Sequence, residues 1–405
     1  MQMRTMQMRS PWTVIICGAV IVTLAMGVRQ SFGLLLPQMG PALDIGRSSF
    51  GLAIAIQNLM FGLGQPFVGA IADRYGAGRV ALGGALLYAA GLVATAFAGS
   101  AIGMHVSLGF MVGLAMTGCT FTVMLGAAGR VVPPERRSLA FGIVTAGGSL
   151  GQFLVVPGAQ ALLTEFGYRQ ALIVLAALVA LIAVFAIGVA GKPQALADTG
   201  PAQTQREALR EAGGERSFWL LNAGFFVCGF HIAFIATHFP AYLTDKGIDP
   251  AIGAASLALV GLFNIFGSYL FGLSGDRFRK HHMLALLYAL RGLVFVLFLL
   301  LPLTSVTALV FAAAIGFLWL GTVPLTNGLV SQIFGVRHLS MLSGIVFLSH
   351  QVGSFFGAWA AGWFFDLTGS YDAAWGASVA LALFAAIVHL PIRDRPVPRL
   401  AAAPA

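Results

Sequence analysis

GAIADRYGAGRV at 69–80 and GLSGDRFRKHHML at 272–284 decide the fold, because the second repeats the first. Gly69, Asp73 and Arg74 match Gly272, Asp276 and Arg277 at an offset of 203, and Gly64 matches Gly267 at the same offset. GIV at 142–144 matches GIV at 344–346, and Gly151 matches Gly353, at an offset of 202. An offset held across such separated stretches reads as the duplication of one unit.

Composition says what the unit is made of. The 405 residues are 58% hydrophobic and 9% charged, against about 25% charged in soluble domains. Twelve apolar runs are expected, at 12–36, 50–71, 79–98, 104–128, 139–163, 170–190, 217–243, 253–274, 282–301, 305–331, 340–364 and 373–390. Each can cross about 30 Å of hydrocarbon. Lipid forces backbone groups to pair within each run, so they read as helices. A transmembrane barrel would show short alternating segments instead. The polar stretch GKPQALADTGPAQTQREALREAGGER at 191–216 interrupts the pattern. The expected fold is an all-α membrane protein of twelve transmembrane helices in two pseudo-symmetric six-helix bundles. Residues 1–190 form one bundle, 191–216 a cytoplasmic linker with a short surface helix at 204–212, 217–392 the second bundle and 393–405 a tail.

The formal charge of +9 is a topology signal. With the N-terminus inside, 18 of the 23 Lys and Arg fall in inside loops, while only Arg47, Arg169 and Lys246 fall outside. That asymmetry places both termini in the cytoplasm and leaves nucleic acid without support. Cys17, Cys119 and Cys228 lie in separate apolar runs, neither a disulfide framework nor a metal spacing. The first run is long and carries Arg29 without a clear cleavage site, so it reads as a retained helix rather than a signal peptide.

The paired G-x-x-x-D-R loops, the six-plus-six arrangement and the central linker resemble the major facilitator superfamily. The resemblance implies that Asp73, Arg74, Asp276 and Arg277 latch the cytoplasmic helix ends in the outward-facing state. A carboxylate near a helix N-terminus or an arginine can bias one packing of two bundles. Two parallel repeats also place a binding site between them near the midplane.

Intramembrane polar residues concentrate in eight of the runs. Runs three, six and twelve have few, and run nine has Arg291. Buried polar groups face the interior or water, so eight helices line a cavity. All 14 acids fall in loops or at run ends, so Arg29 has no embedded carboxylate partner. A substrate carboxylate could supply one through two parallel hydrogen bonds. Snorkelling to the interface is the other reading of Arg29. The candidate substrate contacts are Arg29, Gln30, Asn58, Asn264, His350 and Gln351. For the two asparagines, interhelical packing is the competing role. His231, His238 and His350 are the candidates for proton coupling, because histidine titrates near physiological pH. Each could instead be a neutral, hydrogen-bonded core residue.

GVRQSFGLLLPQM in the first run and GRVVPPERRSLAFGI after the fourth resemble the bacterial monocarboxylate-porter and oxalate:formate-antiporter branch. That branch carries a substrate-binding arginine in its eighth helix. Here LFNIFGSYLFG at 262–272 has Asn264 and Ser268 instead. The cation is therefore expected at Arg29. The expected function is secondary active transport of a small monocarboxylate-like anion across a bacterial inner membrane by alternating access. Coupling is to protons or to exchange of another anion. A multidrug or metabolite exporter with a mainly apolar cavity is the alternative. Enzymatic chemistry, a cofactor and a metal site are not expected, and a monomer is the expected unit.

Overall fold

The computed structural model describes residues 10–131, 137–191, 203–335 and 339–401. Their regular secondary structure is helical, as a hydrocarbon environment requires. In chain order the helices of the first half are α1 (Pro11–Gln30), α2 (Leu36–Leu43), α3 (Arg47–Tyr75), α4 (Ala77–Ala96), α5 (Ala101–Met104), α6 (Val112–Cys119), α7 (Phe121–Val131), α8 (Arg137–Ala180) and α9 (Ile182–Ala186). Those of the second half are α10 (Gln205–Gly214), α11 (Arg216–Asp245), α12 (Pro250–Arg277), α13 (Lys280–Leu300), α14 (Ser305–Phe317), α15 (Thr322–Phe334), α16 (Leu339–Thr368), α17 (Asp372–His389) and α18 (Pro398–Ala401).

Among the described residues, ten helical stretches are long and apolar enough to cross a membrane. Twelve runs were expected, and two features account for the comparison. The stretch Ile143–Ala186 covers 44 residues, about 66 Å of helix, which is twice the ~30 Å hydrocarbon layer. Its backbone turns at Gly167, with φ 77°, between the runs expected at 139–163 and 170–190. The run expected at 50–71 lies in α3, a 29-residue helix outside the ten, with Gln57, Asn58 and Gln65 along it.

Local chemistry fixes several helix ends. Pro11 opens α1, where its missing N–H costs nothing. Asp249 caps α12 by accepting from Ala251 N, with Pro250 following. Thr204 and Glu207 form a reciprocal capping box that starts α10, the linker helix expected at 204–212. Hydrogen bonds from the Thr204 backbone N–H and side chain to the Glu207 carboxyl hold it below its usual range.

Three membrane-crossing stretches are broken. A 3₁₀ turn, Phe32–Leu35, separates α1 from α2. Thr120 is extended, at φ −121° and ψ −166°, between α6 and α7. Residues 318–321 leave helical geometry between α14 and α15.

Buried apolar side chains form two clusters. One is built almost wholly from 14–189, with Ala233, Ala241, Ala254, Leu257 and Ala358 added. The other runs from Ala212 to Val397. Large apolar side chains such as Phe67, Ile102 and Val310 stand exposed, as lipid-facing surface requires. Across the halves, α3 packs along α16 and α8 along α12. Phe61 meets Phe347 edge to face at 5.7 Å.

Candidate functional site

Arg29 sits in the last turn of α1, one residue before the chain leaves helical geometry. The carbonyl-rich end of a helix favours a cation by about 0.3–1 kcal/mol. Arg29 Nη2 also donates to Asn58 Oδ1 of α3 at 2.5 Å. The guanidinium is thus compensated by neutral oxygen. It is half-buried, while Gln30 beside it is buried. Both border a small chamber of about 20 Å³, together with Gln57, Asn58 and, from the second half, Ile232, Ala233, Ala236 and Thr237 of α11. No acid lines it. A chamber of that size holds about one water molecule.

The other expected contacts are placed differently. Gln30 lines the chamber, but its Nε2 donates to Gln152 Oε1 at 2.9 Å, and Gln152 Nε2 donates to Leu257 O across the halves at 2.6 Å. Asn264 stands apart from the chamber. Its Nδ2 donates to Ser149 Oγ at 3.0 Å, while its Oδ1 accepts from Ser268 Oγ and from Leu320 N. Every amide group of Asn264 is therefore used in holding α12 to α8 and to the α14–α15 break. Arg291 grips the same break, donating from Nη2 to Leu318 O and Trp319 O. Gln351 lies against Gly62 in the α3–α16 seam, with Oε1 unpartnered.

The three histidines do not line the chamber. His231 and His238 share a helix with four of its lining residues, but point into the second half. His231 Nε2 is 2.9 Å from Ser378 O, and His238 bonds Tyr371 Oη through Nδ1 and Ala358 O through Nε2. His350 stacks on Phe347 at 5.5 Å and is 6% exposed, against 1% or less for the other two.

Of the expected latch, the side chains of Asp73, Arg74 and Asp276 lie outside the described ones, and Arg277 is exposed in the last turn of α12. A different clasp is present at the far end of α3. Gly76, just after α3, packs on Gly191. Arg47 lies 29 residues away at the start of that helix, about 43 Å distant. Its Nη2 pairs with Asp245 Oδ1 at 2.5 Å, its Nη1 donates to Tyr371 Oη at 2.8 Å, and its guanidinium lies 3.9 Å over the Phe365 ring. Asp366 accepts from the backbone N–H groups of Arg47 and Ser48, capping α3 from the second half. Beside the clasp is a vestibule of about 620 Å³, whose lining includes Asp44, Arg47, Asp245 and Asp366. Sequence reading counted Arg47 only as one of three outside basic residues, with Arg169 and Lys246. The available signal was that Asp44, Asp245, Asp366, Phe365 and Tyr371 all fall near run ends on that same side.

The family model described as Major Facilitator Superfamily matches residues 16–334. The chain belongs to the Major Facilitator Superfamily. Among relatives of this superfamily member, Monocarboxylate transporter 13 of Rattus norvegicus is 27% identical over 383 residues, covering 92% of this chain and 86% of that one. The uncharacterized MFS-type transporter YcxA of Bacillus subtilis (strain 168) is 25% identical over 406 residues, covering 96% of each. A crystal structure of a bacterial homologue of the human lysosomal transporter Spinster matches with a TM-score of 0.76 at 16% identity, over 96% of this chain and 99% of that one. That likeness speaks for the fold. As a superfamily member with such relatives, the chain is a multi-pass membrane transporter and not an enzyme.

Proposed function

We propose that this protein moves a small monocarboxylate-like anion across a bacterial inner membrane by alternating access, with Arg29 as its carboxylate contact. One observation carries the reading. Arg29 reaches a chamber between the halves, is held there by a neutral amide, and meets no acid in the lining. A carboxylate would complete its charge and accept its remaining N–H groups. The relatives named as monocarboxylate transporters support the substrate class.

On this reading the helices make twelve crossings in two pseudo-symmetric bundles, 1–190 and 217–392, joined by 191–216, with both termini cytoplasmic. The repeat has a counterpart in hydrogen bonding: Tyr88 Oη donates to Ala25 O in the first half, and Tyr288 Oη to Gly224 O in the second. The Arg47 clasp then holds one access state, and Asp73, Arg74, Asp276 and Arg277, at the ends of α3 and α12, latch the other. His350 is the favoured proton carrier of the three histidines, being the least deeply buried of them. Exchange of a second anion is the other mode of coupling.

The test is uptake of a labelled organic-acid panel into proteoliposomes, with and without an inward proton gradient. Wild-type protein accumulates monocarboxylates, and Arg29→Ala does not. An Arg29→Ala variant that transports every acid as wild type does removes the central role of Arg29. Efflux of lipophilic cations by wild type favours a multidrug exporter instead.

A further inference from the structure

Two residues that line the chamber with Arg29, Gln57 and Asn58, each have one buried polar atom without a partner. Asn58 Oδ1 is the oxygen that accepts from Arg29, so the unpartnered atom of that amide is the donor Nδ2. Gln57 Nε2 donates to Leu108 O at 3.0 Å, so its unpartnered atom is the acceptor Oε1. In each case the neighbour fixes which end of the amide is nitrogen. Both side chains are 1% exposed. Leaving a buried polar group unpaired is costly, and two lining residues of this chamber carry one of each kind.

We infer that Gln57 is a specificity-determining residue that reads a hydrogen-bond donor on the carbon next to the substrate carboxylate, so that the site takes 2-hydroxy carboxylates ahead of their alkyl and oxo analogues. This rests on the reading of Arg29 as the carboxylate contact. The carboxylate supplies acceptors for Arg29 and for Asn58 Nδ2. A hydroxyl beside it donates to Gln57 Oε1. An alkyl acid offers nothing to that oxygen, and an oxo acid offers a second acceptor where a donor is needed. An amino acid could donate, but its ammonium would stand beside Arg29 with no acid in the chamber lining. A site built to bond a substrate hydroxyl discriminates strongly against the analogue lacking it, because its own buried group is then left unpaired. The chamber of about 20 Å³ is too small for any of these acids in this conformation. The discrimination therefore acts when the halves part and reclose around the substrate.

The experiment compares uptake of labelled lactate, pyruvate, propionate and 2-fluoropropionate by proteoliposomes of the full-length protein. Fluorine is close to a hydroxyl in size but cannot donate. The expected result is a kcat/KM for lactate at least about tenfold above each of the other three. In Gln57→Met the lactate-to-propionate ratio falls towards one. Equal rates for all four acids in wild type, or a ratio unchanged in Gln57→Met, overturn the inference, water then serving the orphaned oxygen. Fluoropropionate travelling as well as lactate also overturns it. Transport of none of the four acids would instead defeat the proposed function, so the two failures are distinguishable. The wild-type comparison stands even if the variant does not fold.

Discussion

At the residue scale the pair Arg29–Asn58 sets the charge of the site. Asn58 gives the guanidinium a neutral partner, which on the proposed reading keeps it available to a carboxylate. Asn58→Asp would supply that charge from within. We expect this variant to fold with unchanged or raised thermal stability and to bind monocarboxylates about 10–100-fold more weakly, the loss of a charge-assisted hydrogen bond to a charged group. Thermal unfolding and uptake kinetics on one preparation check both halves of the statement. Arg29 was legible in the sequence because an arginine in a chain whose acids all lie outside the apolar runs has few explanations. Gln57 was not. It was one of several amides on α3, and only the bond from its nitrogen to Leu108 O shows that its oxygen is free. Asn264 reads alike in sequence, yet its groups are spent on Ser149, Ser268 and Leu320. Which amide is spent depends on contacts up to 115 residues apart, and composition carries no record of them.

At the scale of elements, the break after α1 does the positioning. It ends the helix beside Arg29 and turns Gly33 onto α11, where a Cβ would collide with the carbonyl of Ala236. Gly33→Val removes that approach and disfavours closure of the two halves at this level. Its expected signature is a shift towards the state open at the Arg47 end, seen as increased labelling of a cysteine placed at Ala236, with the protein still folded. No change in labelling would show that the contact is not needed for closure. The membrane helices were readable from long apolar runs; the polar linker helix was expected at 204–212 as well, and its capping box is a local signal. Breaks within them were less so. The α14–α15 interruption carries no proline at 318–321, and is held by Arg291 from α13 and Asn264 from α12. Both are partners from elsewhere in the chain, so the interruption is a tertiary feature.

At the scale of the whole molecule, hydrogen bonds described between the halves join Arg47 and Ser48 to Asp245, Asp366 and Tyr371, and Ser149 and Gln152 to Asn264 and Leu257. The first group closes one end. Asp245→Asn removes one ion pair from it. Exposed pairs contribute at most about 1 kcal/mol, so the open population at that end should rise up to about fivefold. Arg47→Gln, which also loses Tyr371 and the Phe365 face, should raise it further. Spin labels at the exposed positions Ala42 and Lys246, on opposite halves, would report the distance distribution. Distributions identical to wild type in both variants would show that the clasp does not hold this state.

The vestibule has a kinetic consequence. Its lining sets three carboxylates, Asp44, Asp245 and Asp366, against the single guanidinium of Arg47. On the proposed reading, an anion that enters on this side meets net repulsion from that lining. Added salt shortens the reach of that field, to about 10 Å at 0.1 M. Encounter with an anionic substrate from this side should quicken as ionic strength rises, the reverse of the attraction that ordinarily steers a ligand to an oppositely charged cleft. Initial rates at fixed pH across a series of potassium chloride concentrations would measure it, and neutralising Asp44 should flatten the dependence. On that reading the acidic lining slows arrival from this side, and binding at Arg29 has to offset it.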